Sequence, residues 1–323
     1  MNIKVWFGRG KKNTLAELKQ VFDTCVEHGI TGVNFQFNPD NMDTILSYSD
    51  KLELQIWKIL LCNNNTDIIK AHPDWYMVNR NGVSTLEAAP YVGYYRWLCP
   101  SKLAVQEYLL DEVEKLCQYP EISGIHLDYV RYPDVILPLA IQPDYNLQQL
   151  SEQPEFDFCY CDNCRKTFLE QTGKDPLQME NPQNDPEWLK FRYDNVSNLV
   201  IKLRDKIHTY GKKATAAVFP SPLLARTLVR QDWQSWDLDE YYPMIYHNFY
   251  LKEWDWITQI SKFNREIIGD KAKLFSGIFM PNIEPKADLF SKIIDSGAEG
   301  IALFDYNTIT DEHWKFIKAI QLK

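Results

Sequence analysis

GIHLDYVRYP, residues 124–133, begins as a strand and ends in a loop. Alternate residues of a strand share a face, so His126, Asp128 and Val130 point one way and Ile125, Leu127 and Tyr129 the other. The second face is apolar and suits packing against helices. That leaves a histidine and an aspartate for the opposite side, with Asp128 close to the strand's C-terminal end. In a barrel of parallel strands, that end is where inward-pointing functional groups collect.

The same alternation of short apolar run and amphipathic stretch extends in both directions. Before this segment, a helix is predicted from Leu103 to Leu116, with strands at 3–8, 32–37 and 55–61. Earlier helices are predicted from Leu15 to His28, stopping at Gly29, and over 42–53. After it, strands are predicted at 214–219, 241–246, 274–280 and 300–305, with helices over 187–209, 251–266, 286–296 and 311–321. Only a weak helical signal lies between the fifth and sixth strands. Eight strands alternating with helices predict an α/β fold of the (β/α)8 TIM-barrel type. An open doubly wound sheet is the alternative. It would more often carry a glycine-rich turn after its first strand, where only GRGKK (8–12) stands. The chain is therefore expected to be a single barrel domain over 1–323, interrupted after strand four by an insertion at 134–185. That insertion is rich in Pro, Gln, Asn and Asp, and is too long for an ordinary connection.

Composition narrows the functional classes. Hydrophobic residues make up 45% of the 323 and charged residues 24%, enough for a full core. The net charge of −9 disfavours nucleic acid as a partner, since no excess of cations is available to displace counterions from a phosphate backbone. No apolar run approaches the roughly 20 residues of a membrane span, so no membrane partner is expected. No signal peptide is visible, which points to the cytoplasm, or to the periplasm or secretion if a signal has already been removed. Trp, Tyr and Phe together reach 14%, which suits sugar rings and equally suits a large core.

The insertion carries its own anchor. Cys159, Cys161 and Cys164 stand as C-x-C-x-x-C in FCYCDNCRKTF, a spacing typical of zinc thiolates. The alternative is a set of free thiols in a reducing compartment. A tetrahedral site needs a fourth ligand, from Cys99, Cys117, Cys62 or Cys25. Cys25 and Cys117 fall within amphipathic helices and suit small core residues, whereas Cys99 lies in a loop. The segments LCPS and CYCDNCRKTF, the latter followed by EWLKF, resemble the zinc site of glycoside hydrolase family 42 β-galactosidases. This resemblance implies Cys99, Cys159, Cys161 and Cys164 as ligands of one structural zinc, with no organic cofactor. Four sulfurs would close the coordination sphere, so the metal would pin the insertion and do no chemistry.

Asp128 is the leading candidate for chemistry, because burying a carboxylate without a role is costly. Its bland alternative is a structural pair with Arg131. The segment G-I-H-L-D-Y-x-R-Y-P resembles the strand-four signature of the glycosyl-hydrolase-like family 10 group of barrel glycosidases. HPDWYMVNRNG (72–82), QDWQSW (231–236) and YYPMIYHN (241–248) fit the same group. The Asn-Glu acid motif of family 42 is absent. What the family 10 resemblance implies is hydrolysis of an O-glycosyl bond in an oligo- or polysaccharide at the C-terminal mouth of the barrel.

Glycoside hydrolysis normally uses two carboxyls, about 5–5.5 Å apart for retention and about 6.5–9.5 Å for inversion. The expected partners of Asp128 are Asp232, beside Trp233 and Trp236, and Asp305, at the end of strand eight. Glu284 ranks behind them because it also suits a helix first turn. His126, Arg131, Tyr132 and Tyr246 are expected to position the sugar, with His126 and Arg131 leaving room for an acidic one. Asn34, Gln36 and Asn38, sharing one face of strand two, and Trp233 are further candidates for substrate binding. Trp57 and Lys58 on strand three are weaker ones. Two other classes stay open: a carbohydrate-binding barrel without catalysis, and a metal-dependent hydrolase of another bond. The latter needs a histidine-rich site, and only six scattered His exist.

Overall fold

The computed structural model of the chain describes residues 1–8, 13–283 and 287–321. GRGKK beyond Gly8, and Glu284, lie outside the described residues. Eight parallel strands close into a barrel in sequential order, β1 (Asn2–Phe7), β2 (Gly32–Gln36), β3 (Glu53–Ile59), β4 (Gly124–Asp128), β5 (Lys213–Val218), β6 (Glu240–Pro243), β7 (Lys273–Phe279) and β8 (Gly300–Phe304). This is the predicted (β/α)8 architecture. Closure is tight at the seam, where Asn2 pairs with Gly300. A Cβ on Gly300 would collide with the Asn2 carbonyl and come within 2.7 Å of the Phe275 ring.

The helices form where local signals permit. Thr14 and Glu17 make a capping box that starts α1 (Leu15–Glu27). After the brief α2 (Met42–Leu46) and α3 (Thr66–Ala71) comes α4 (Leu103–Leu116), and α5 (Asp162–Thr172) lies inside the insertion. The long α6 (Pro186–His208) has Asp185 as N-cap and proline at its first position. The weak helical signal after strand five becomes α7 (Pro222–Val229). The rest of that connection is held by fully buried Trp233 and Trp236, the Trp236 indole donating to Ser197 of α6 at 3.0 Å. Finally, α8 (Asp255–Ile268), α9 (Ala287–Asp295) and α10 (Asp311–Gln321) complete the outer layer.

Two apolar cores result. The larger lies between the strands' outward faces and the helices. The smaller fills the barrel with Trp6, Trp57, Ala217, Tyr242, Phe275 and Ala302. Beneath it, at the strands' N-terminal ends, buried Glu240 accepts from Lys4 at 2.8 Å, Lys213 at 2.9 Å and the Tyr242 hydroxyl at 2.6 Å. Burial pushes the Glu240 carboxyl up, but Lys4, Tyr242 and Lys213 together bring it down to about 2.

A polar column rises from this plug. Gln55 donates to Glu240 at 3.1 Å and accepts from Thr215 at 2.7 Å. The Trp6 indole donates to His126 Nε2 at 2.9 Å, so Nδ1 carries the proton and donates to Thr215 Oγ at 2.9 Å. Burial, and then Lys4, bring His126 down to about 3, so it stays neutral. His126 was expected to position a sugar. It is instead fully buried, with both ring nitrogens committed inside the barrel.

Removing Glu240 would leave Lys4 and Lys213 to share Glu53 as counter-charge and strip the buried Tyr242 and Gln55 of their acceptor. Glu240→Ala should cost about 3 kcal/mol or more in guanidinium unfolding at neutral pH. Because the native carboxyl lies below its ordinary 4.5, its contribution is present above that value and lost as pH falls toward 2. The gap between wild type and variant should therefore narrow on acidification, and a gap that widens would contradict this account.

Candidate active site

The C-terminal mouth of the barrel is assembled from the ends of β3, β4, β6 and β8. Asp128 is the last residue of β4, in register with Ile59, the last of β3. Both of its oxygens are held: Oδ1 accepts from the Tyr129 amide at 2.6 Å and Oδ2 from the Trp57 indole at 2.8 Å. Burial pushes the Asp128 carboxyl up, with Trp57, the Tyr129 amide and Arg131 pulling the other way. Trp57 faces the interior by the same period of two that places Gln55. That alternation was the available signal for Trp57, which sequence reasoning ranked low.

Asp305 follows β8, the strand across the closed ring from β4. Its side chain takes part in capping the short turn at Tyr306–Thr308, and Oδ2 accepts from Asn307 at 3.3 Å. Burial pushes this carboxyl up too. Burial, and then the charges of Asp128 and Asp305, hold the phenol of Tyr246, just beyond β6, well above the usual range. Its ring packs on Phe304 at 5.7 Å and Phe279 at 5.5 Å. Phe304 also meets Trp57 at 6.1 Å and Trp6 at 5.8 Å, giving the mouth an aromatic floor.

Arg131 does not lock Asp128. It pairs with Asp134 at 3.1 Å and donates to the Tyr132 carbonyl at 2.9 Å. Its guanidinium lies over Trp97, Tyr129 and Phe219 at 5.0–5.1 Å. Both of these bonds leave from Nη1, and the residue also lines the cavity at the barrel mouth.

Several predicted site residues lie elsewhere. Asp232 is bound to Arg226 of α7 at 2.6 Å, at the start of the segment that packs on α6. Trp233 is fully buried against Tyr241, so no ligand reaches it. Tyr132 was expected at the rim, but it is fully buried beside the cysteine cluster. Asn34 is buried in the barrel interior near Tyr242. Asn38 caps the turn after β2 by accepting from the Asp40 amide. Gln36 stays half-buried at the mouth, near Trp57.

The four implied cysteines do come together. The sulfurs of Cys99, Cys159, Cys161 and Cys164 all lie within 4.8 Å of one another, and all four residues are buried. Cys99 Sγ is 3.8 Å from Cys161 Sγ and 3.5 Å from Cys164 Sγ. A tetrahedral zinc–thiolate centre with Zn–S of 2.3 Å has S···S edges of about 3.8 Å. The Ser101 hydroxyl stands 3.0 Å from both Cys99 and Cys164, and the Val78 amide donates to Cys159 at 3.5 Å. These residues are compatible with a structural metal, which they would hold in a closed shell.

With this geometry in view, the comparisons with known proteins can be weighed. The family model for glycosyl hydrolase-like 10 matches residues 51–289, about three quarters of the chain. The chain belongs to that family. The match spans β4, the cysteine cluster and β6, and agrees with the expectation of a glycosidase. No curated protein sequence matches the chain. Among solved structures, the PgaB (BpsB) glycoside hydrolase domain from Bordetella bronchiseptica is similar with a TM-score of 0.72, at 11% identity over 99% of this chain and 98% of that one. The β-amylase catalytic domain from Paenibacillus polymyxa reaches 0.63 at 13% identity, over 99% and 98%. A chitinase from Chromobacterium violaceum reaches 0.52 at 12% identity, over 100% and 99%. At such identities the likeness is one of fold. Among the described residues, no helix is long and apolar enough to cross a membrane.

Trp57→Phe keeps the ring but deletes the donor to Asp128. The Asp128 carboxyl should then titrate at higher pH than in the unsubstituted protein, as followed by its side-chain ¹³C resonance. An unchanged or lowered midpoint would show that the indole does not hold the carboxylate.

Proposed function

We propose that this member of the glycosyl hydrolase-like 10 family hydrolyses O-glycosyl bonds of an oligo- or polysaccharide, using Asp128 and Asp305 as its carboxyl pair. The observation that carries the reading is the placement of two acids at opposite strand ends of one barrel mouth. Both carboxyls are raised by burial, and both act on Tyr246. Barrel enzymes keep their chemistry at that face, and glycoside hydrolysis calls for two carboxyls flanking the bond.

The surroundings assign the roles. Asp128, with both oxygens fixed by N–H donors, is the aimed carboxylate that serves as nucleophile or as base toward water. Asp305, half-exposed at the rim with its carboxyl raised by burial, is the group with access to deliver a proton to the leaving oxygen. The aromatic floor gives sugar C–H faces a surface to lie on.

The cysteine cluster is proposed to hold one structural zinc, supported by its S···S spacings and by four thiols in a dry setting. Its contribution is to stability, since the four sulfurs leave no open coordination position.

Asp128→Asn and Asp305→Asn should each lower turnover of a cleaved glycan by about 10²–10⁴-fold, with thermal unfolding little changed. Asp232→Asn should stay near wild type. Full activity in Asp305→Asn, or its loss in Asp232→Asn, would reassign the pair. Elemental analysis of purified protein should find one zinc per chain, lost on Cys161→Ser together with a lowered unfolding temperature. Purified protein that carries no zinc, or a Cys161→Ser variant that unfolds at the temperature of the unsubstituted protein, would remove the zinc from this account.

A further inference from the structure

We propose that Tyr129 is the positioning residue of Asp128: its left-handed backbone presents the amide that fixes one carboxylate oxygen, and the packing of its ring holds that backbone in place. The proposal goes beyond the acid pair, and it rests on the reading above only for what Asp128 does once it is aimed.

The backbone is the first argument. Tyr129 has a φ of 53°, in the left-handed region where a Cβ crowds the carbonyl and glycine is the usual occupant. A bulky residue there is uncommon, and such outliers persist only where the surroundings over-determine them. This one directly follows the carboxylate at the end of β4.

Hydrogen bonding shows what the turn does. Along a strand, the carbonyl of one residue and the amide of the next point to opposite sides. The Asp128 carbonyl accepts at 3.1 Å from Leu60, just beyond β3, so the Tyr129 amide points away from β3. Were β4 to continue, the Tyr129 carbonyl would follow its own amide toward β5. It turns back instead and accepts from Leu61 at 3.3 Å. The register with β5 ends at Leu127 and Ala216, and the Tyr129 amide donates to Asp128 Oδ1 at 2.6 Å. Burial raises that carboxyl, and the Tyr129 amide is second to the Trp57 indole among the groups that hold it down.

The ring supplies the lock. Its centre lies 5.6 Å from that of Trp97 and 6.2 Å from that of Tyr95, with the Arg131 guanidinium 5.1 Å away. Arg131 is tied in turn to Asp134. Trp97 and Tyr95 belong to the loop before α4, and Arg131 and Asp134 to the segment after β4. Contacts from two stretches of chain thus offset a conformation that the residue alone would leave. A glycine would take the turn freely but give these neighbours nothing to pack on.

The test follows the side-chain ¹³C resonance of Asp128 through a pH titration of the full-length protein. Tyr129→Ala loses the ring but keeps a Cβ, so the backbone should relax, the amide bond break and the midpoint rise by about one pH unit or more. Tyr129→Gly loses the same ring yet tolerates the turn, and its midpoint should stay close to that of the unsubstituted protein. Tyr129→Phe keeps the ring and should also titrate as the unsubstituted protein does. A role in packing alone would set glycine level with alanine. Should Tyr129→Ala fail to fold, Tyr129→Leu against Tyr129→Asn replaces the pair, since asparagine tolerates the left-handed region far better than leucine. The proposal is overturned if the residue that tolerates the turn titrates no lower than the one that does not, or if no variant moves the midpoint. Midpoints ordered as stated, in a protein whose Asp128→Asn variant keeps full turnover, would take from Asp128 its proposed role and leave that of Tyr129 standing.

Discussion

The buried carboxylate of Glu240 organises the interior of this barrel. Two lysines, a tyrosine hydroxyl and a glutamine amide converge on it below the apolar filling. Such a charge is tolerable only when every partner is in place. From it, one hydrogen-bonded column passes through Gln55 and Thr215 to His126 and Trp6. Each member can satisfy its neighbour in only one orientation, so the column fixes the tautomer of His126 and the tilt of the Trp6 ring. The mouth residues stand on that rigid base. Trp6 supports Phe304, and Phe304 supports Trp57, whose indole holds Asp128.

A second constraint acts from above. Cys99 lies two residues beyond Trp97, over which Arg131 stacks, and Cys159 lies three residues beyond Phe156, which stacks on Tyr91 at 4.5 Å. Buried Asp157, paired with Arg192 of α6, ties the same strand of chain to the outer helices. The four sulfurs therefore sit at the junction of two loops that both lead into the mouth. A metal binding all four would fix the relative position of those loops, and a site remote from the proposed chemistry would so bear on the shape of the mouth.

Much of the fold was legible from pattern. The alternation of strands and helices located all eight strands to within a few residues. Departures came where tertiary contacts replaced local ones. The predicted helix over 42–53 contracts to five residues, and the span between β5 and β6 is carried by buried tryptophans more than by helix. The candidate site was legible in part. Asp128, Asp305, Tyr246 and Arg131 lie at the mouth, and the four cysteines meet. His126, Tyr132, Asn34 and Trp233 are residues of the expected chemical types, but they are sealed in the interior.

The period of two along β4 was enough to point Asp128 and His126 into the barrel, and the cysteine spacing was enough to bring three thiols to one place. Both are properties of a few consecutive residues, and local geometry determines them. Depth along the barrel axis is different. It depends on how each strand is staggered against its neighbours and on what lies above, and no single segment encodes that. Register sets His126 beside Trp57 and Thr215, below the mouth, and Asp128 at its edge. In the same way, only the closed ring could put Asp305 across from Asp128 and leave Asp232 on the outside with Arg226. Sequence determined which groups face inward; the assembled barrel decided which of them a ligand can reach.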